Sequence, residues 1–100
     1  MKILAIEKDI PGATGVASRS LLKDEAARVW ELYQSGVLRE IYFRQGRTNA
    51  VLVLECASLE DASLILGTLP LVHERLIEFE VIPLIPYPGI SRLFGDENLE

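Results

Sequence analysis

The stretch 37–56, VLREIYFRQGRTNAVLVLEC, constrains the fold of this chain more than any other. Two runs of β-branched, aromatic and aliphatic residues flank a polar break at 45–49, where Gly46 supplies a turn conformation that other residues resist. The stretch therefore reads as a β-hairpin. Its second run, residues 50–54, is apolar at odd and even positions alike, so both faces of that strand must be covered. One hundred residues make a single domain with a modest core and few elements to do the covering.

The rest of the chain supplies those elements. Residues 2–7 read as a short strand with Ile3 and Ala5 on one face and Leu4 and Ile6 on the other. Residues 9–15 form a loop whose glycines lack the Gly-Lys-Ser/Thr needed to cradle a phosphate. Ser18 or Ser20 opens a helix that runs to Gln34 or Ser35, with Gly36 as its stop. Leu22, Ala26, Val29, Trp30 and Tyr33 recur at helical spacing and form its expected buried stripe. Asp24 and Glu25 fall in the early turns, where the helix dipole favours anions, and Glu25 lies roughly 80° from the stripe centre, at the border of the core. After the hairpin, Ser58 with Asp61 approximates a capping box. Leu59, Ala62, Ile65, Leu66 and Leu69 then face the core on a second helix, which Gly67 weakens and Pro70 ends. A last strand spans about 76–85, and Pro83 and Pro86 place it at a sheet edge. Residues 90–94 form an apolar tail that needs something to rest on.

The order strand, helix, strand, strand, helix, strand is the ferredoxin-like α+β pattern, in which two helices cover one face of a four-stranded antiparallel sheet. The strands are apolar on the other face as well, a larger patch than soluble monomers usually expose. A two-fold homodimer packed sheet against sheet, a dimeric α+β barrel, is the expected solution, with any pocket between the sheets. The single domain is expected over 1–94, followed by a flexible polar tail at 95–100 in which Leu99 and Glu100 are compatible with a cloning remnant.

Composition excludes several function classes. With 49% hydrophobic and 25% charged residues the chain is far from disorder. A formal net charge of −5 argues against a nucleic-acid partner. No apolar run approaches the roughly 18 residues of a membrane span, and the N-terminus is a strand instead of a signal peptide. The lone Cys56 allows neither an internal disulfide nor a multi-cysteine metal site, and a buried inert thiol in a cytoplasmic protein is expected. His73, the only histidine, has no ligand-spaced partners, so no metal site is expected.

Several strings occur together in order: Asp24-Glu25 on the first helix, Arg39 and Tyr42 on the second strand, and Gly46 at the turn. Ser58-Leu59-Glu60 opens the second helix, Leu69-Pro70-Leu71 closes it, and Phe79-Glu80-Val81 leads to Leu84 and Pro88. This series, covering about residues 22–88, resembles the muconolactone isomerase family. The resemblance implies a dimeric α+β barrel, sometimes assembled into larger rings. It also implies a cofactor-free proton shift in a small carboxylate-bearing lactone during aromatic catabolism. It marks Glu25 as proton shuttle and Arg39 as anion clamp. Tyr42 stands where the family tends to have tryptophan, and Tyr87 where it commonly has histidine. The segment from Leu71 to Phe79 is about two residues longer than in the isomerase, which points to a remodelled pocket mouth.

Each site residue also has a plainer reading. Glu25 serves either proton transfer or a surface pair with Lys23 or Arg28. Arg39 meets either an anionic ligand or a structural carboxylate such as Glu55 or Glu80. Trp30 and Tyr42 line a pocket or belong to core and dimer contacts, and Tyr87 offers a phenol hydroxyl or sits at an interface. Two functions are therefore carried forward. One is an isomerase acting on a small-molecule ligand, with Glu25 and Tyr87 catalytic and Arg39, Tyr42 and Trp30 binding. The other is a non-catalytic dimeric ligand-binding or assembly module.

Overall fold

The structure, a computed structural model, describes residues 1–13 and 15–95. Its elements are β1 (Lys2–Asp9), α1 (Arg19–Gln34), β2 (Leu38–Phe43), β3 (Ala50–Glu55), α2 (Leu59–Leu66), α3 (Pro70–His73) and β4 (Ile77–Leu84). A 3-10 helix over Pro88–Phe94 follows. The strands pair antiparallel in the order β2-β3-β1-β4, which is the expected ferredoxin-like arrangement with the proline-bearing β4 at an edge. Ile3 and Ala5 lie opposite Leu54 and Leu52, and these four join Leu38 of β2, Leu32 of α1 and Ala62 and Leu66 of α2 in one buried core.

The local signals act where elementary chemistry puts them. Ser18 Oγ accepts the Leu21 amide at 3.0 Å and starts α1, and Gly36, at φ +84°, stops it. Ser58 Oγ accepts the Asp61 amide at 3.1 Å and starts α2. Gly46, at φ +79°, turns the hairpin.

Four local expectations are corrected. β1 continues two residues past Glu7, to Asp9. α1 begins at Arg19, so its first turn holds no acid, and Asp24 and Glu25 lie beyond the dipole's strongest reach. Pro70 does not end α2, whose C-cap is Gly67; it opens α3, because a missing amide hydrogen costs nothing at a first helical position. Finally, none of Leu22, Ala26, Val29, Trp30 and Tyr33 is fully buried, and Leu32 alone of α1 is. Leu22, Trp30 and Tyr33 keep at least half their exposure because α1 stands off the sheet there and its apolar face borders a cavity.

Two regions leave the body less covered. On the sheet face away from the helices, Leu4, Ile6, Val51, Val53 and Ile82 are half-buried in a single chain. Beyond Leu84 the chain projects as an arm, and the molecule measures 57 × 29 × 24 Å. Its radius of gyration is 16.6 Å, where a compact chain of this length has about 13 Å. No helix among the described residues is long and apolar enough to cross a membrane. Residues 96–100 of the expected 95–100 tail lie outside the described residues, as does Thr14 of the 9–15 loop.

Candidate active site

The cavity, of about 520 Å³, opens between α1 and the helix-facing side of the sheet. Its walls are apolar: Leu22, Ala26, Val29, Trp30 and Tyr33 from α1, and Ile41, Phe43, Leu52 and Phe79 from the sheet. The helical stripe is thus real, but it meets a void instead of a core. Trp30 and Tyr33 stack on its α1 wall with ring centroids 5.7 Å apart. The position differs from the one expected between two sheets, since the cavity occupies the opposite face, where α1 and β2 diverge.

Only two charged residues line it, Glu7 and Glu25. Glu7 follows Ile3 and Ala5 on the inward rhythm of β1, which sets it opposite Phe79. Its carboxylate accepts the Ala50 amide at 3.0 Å, and Asn49 Nδ2 stands 3.5 Å away. Asn49, the one buried polar residue among those described, is held in turn by Arg47 Nε at 2.9 Å and by Asp9 at 3.3 Å. Burial raises the Glu7 pKa, the Ala50 amide opposes that rise and the Asp9 charge adds to it.

Glu25 reaches from α1 to the start of α3. Its Oε1 accepts the Leu71 amide at 2.9 Å, satisfying an end group that Leu69, with no side-chain cap of its own, leaves open. Burial raises its pKa, the Leu71 amide opposes this and the nearby Glu7 charge raises it further. Neither Lys23 nor Arg28 pairs with it. Arg28 instead donates to Thr68 at 2.9 Å and lies 3.7 Å from Glu31. The cavity therefore holds two neighbouring carboxylates, each biased toward its protonated form, in an apolar setting suited to proton transfer.

The structure brings Glu25 and Trp30 together at this cavity and places the other anticipated residues elsewhere. A β-bulge between Leu38 and Glu40 removes Arg39 from the strand alternation, and its exposed guanidinium donates to the Gly36 carbonyl. Its charge contributes to the lowered pKa of Glu55, after the α-amino group that holds that carboxylate at 2.9 Å. Tyr42, opposite Val51, faces the open side of the sheet and donates to Glu40 at 2.7 Å. Tyr87 lies on the arm and folds its ring over Gly89, where a Cβ would collide with it. His73 ends α3 and is exposed, and Cys56 is a buried free thiol whose pKa burial raises. Among the described residues no cluster of histidine, cysteine or acids could hold a metal ion.

Glu7 escaped the sequence reading. The signal was present, because i, i+2, i+4 alternation from Ile3 puts Glu7 on the buried face. Reading Glu7 as the strand's last residue obscured it.

No protein-family model matches this sequence, and no curated protein does either. Solved structures share its fold. Muconolactone isomerase superimposes with a TM-score of 0.73 over 89% of this chain and 93% of its own, at 23% identity. The 5-chloro-2-hydroxyhydroquinone dehydrochlorinase of Burkholderia phenoliruptrix AC1100, solved with 2,5-dihydroxybenzoquinone, gives 0.62 over 89% and 98%, at 18% identity.

Proposed function

We propose that this protein is a homodimeric, cofactor-independent enzyme that moves a proton within a small oxygenated ring held in the α1 cavity. The observation that carries this reading is Glu25, a carboxylate set in an apolar wall with its pKa raised by burial and by Glu7. Such a group holds its proton to a higher pH than a solvated glutamate does, which suits it to take up and return one during a reaction. Ionised Glu25 removes a proton from a carbon next to a carbonyl, and the electron pair moves into that carbonyl as an enolate. The protonated Glu25 then delivers the proton to the far carbon of the conjugated system, and the protein ends as it began. Glu7, anchored by the Ala50 amide, keeps the Glu25 proton from being too acidic to be useful. Trp30 and Tyr33 offer a flat wall for a planar ring.

The names of both structural neighbours point to small oxygenated rings, which supports this class of ligand. A carboxylate on the substrate, as in a muconolactone, would need a cation. The cavity's own lining offers none, and Arg39 is turned to Gly36. Arg39, Tyr42 and Tyr87 act on a ligand only if a second copy carries them to it. The apolar open face of the sheet supports such a pairing in a two-fold dimer. The free, buried Cys56 fits a reducing cytoplasm.

The test is a thermal-shift screen of small lactones and hydroxylated or quinonoid rings on wild type and Glu25→Gln in parallel. A ligand at a hundred times its Kd adds about 2.7 kcal/mol, a shift on the order of 10 °C for a domain of this size. Binding by both proteins with turnover by wild type alone is the expected outcome. Turnover by both removes the catalytic role from Glu25 and leaves an enzyme whose acid–base group lies elsewhere, and binding by both with turnover by neither leaves a ligand-binding module.

A further inference from the structure

The α1 cavity offers a ligand a lopsided set of polar partners. Glu7 and Glu25 are the only charged residues in its lining, and no cation joins them. The side-chain donors there are the Trp30 indole and the Tyr33 hydroxyl, both on half-exposed rings. An ionised carboxylate only accepts hydrogen bonds. A ligand that reaches the inner wall must therefore bring a donor of its own.

Glu7 is the more firmly built of the two acids. The β1–β3 ladder ends at Ile6 opposite Val51, so the Ala50 amide lies beyond its last backbone partner. Glu7 Oε1 accepts that amide at 3.0 Å, and Oε2 lies 3.5 Å from Asn49 Nδ2. Asn49 is only 7% exposed; its Oδ1 accepts Arg47 Nε at 2.9 Å, and its Nδ2 donates to Asp9 at 3.3 Å. Arg47 pairs with Asp9 at 3.6 Å and is not part of the cavity wall. The two N–H donors favour the ionised form of Glu7. They occupy about two of its roughly four acceptor places and leave the others for a ligand. A carboxylate that served only to end a strand ladder would gain nothing from facing an apolar cavity, where its charge is poorly solvated.

We propose that Glu7 selects the ligand, accepting a hydrogen bond from a free hydroxyl on the ring and turning away a ring that carries a carboxylate. This rests on the α1 cavity being the ligand site, as proposed above. A hydroxyl proton answers a wall that can only accept. A methyl ether in its place sets an apolar group against an unpaired carboxylate, and a ligand carboxylate meets two like charges with no cation in the lining. Glu7 then sets specificity, and the proton transfer stays with Glu25.

Phenol, anisole and benzoate are similar rings that differ at one substituent, and titrations of the wild-type protein by proton–nitrogen correlation NMR compare them. The Trp30 indole marks occupancy of the cavity, the Ala50 amide marks Glu7 and the Leu71 amide marks Glu25. Phenol should move the Trp30 and Ala50 signals and bind about 10- to 100-fold more tightly than anisole or benzoate. Glu7→Gln, which keeps an oxygen for the Ala50 amide, should narrow that preference by about tenfold. Anisole or benzoate bound as tightly as phenol, or a preference that Glu7→Gln leaves unchanged, overturns selection by Glu7 while the cavity stays the ligand site. Should Glu7→Gln not fold, the wild-type signals decide. Phenol that moves Leu71 and leaves Ala50 still assigns the hydroxyl to Glu25 and overturns the role of Glu7, whereas movement of Ala50 upholds it. No movement of Trp30 with any of the three overturns the cavity as a ligand site and the role of Glu7 with it.

Discussion

Glu25 is half a structural residue and half a chemical one, and the two halves titrate together. Its Oε1 caps α3 through Leu71, while burial and the Glu7 charge lift its pKa above the ordinary 4.5. A carboxyl with a raised folded pKa holds its proton more tightly in the native state than in the unfolded chain. Its contribution to stability is complete below about pH 4.5 and is lost as pH rises through the raised folded value. Glu25→Gln keeps an oxygen for Leu71 and has no proton to lose. The stability of wild type relative to this variant should therefore fall as pH rises from below 4.5 through the raised folded value, then level off. Urea midpoints at a series of pH values measure this, and a difference that grows with pH would mean that the amide at Leu71 outweighs burial. The sequence disclosed this residue through its helical angle, since position 25 borders the apolar stripe of α1, and through the family resemblance. It did not disclose Arg39's true setting. Strand alternation carries no warning of a bulge, and one extra residue between Leu38 and Glu40 was enough to take the guanidinium off the inward face.

Elements were legible where their ends are chemically marked. Ser18, Gly36, Gly46 and Ser58 act at the positions their side chains or their lack of one require. Removing these signals should loosen the cavity wall before it harms the core, because α1 packs fully only through Leu32. Ser18→Ala should cost about 1 kcal/mol, a fall in Tm of roughly 4–8 °C. Gly36→Ala should cost a similar ~1 kcal/mol, because the space around Gly36 is open and only the left-handed backbone at φ +84° resists a side chain. A scan of both variants checks the pair, and a much larger loss at Gly36 would reveal a steric role that the open space denies. What periodicity leaves undetermined is the partner of an apolar face. Leu22, Val29 and Trp30 are apolar at helical spacing whether they meet a sheet or a ligand. Pro70 shows the same limit, since a proline stops one helix and starts another with equal ease.

At the scale of the whole molecule, the apolar count on β3 was the most informative part of the sequence. Ala50, Leu52 and Leu54 enter the core, and Val51 and Val53 on the alternate face lie uncovered by any helix. Val53 stands near the middle of that face, opposite Leu4 on one side and Glu40 on the other. In a two-fold dimer closed sheet to sheet, a lysine at 53 would bury two ammonium groups at one interface, a cost of several kcal/mol per ion even after relaxation. In a single chain the same lysine would extend into water and disturb nothing on the helix side. Val53→Lys should therefore convert a species of twice 11.2 kDa into one of 11.2 kDa by light scattering, with its circular dichroism intact.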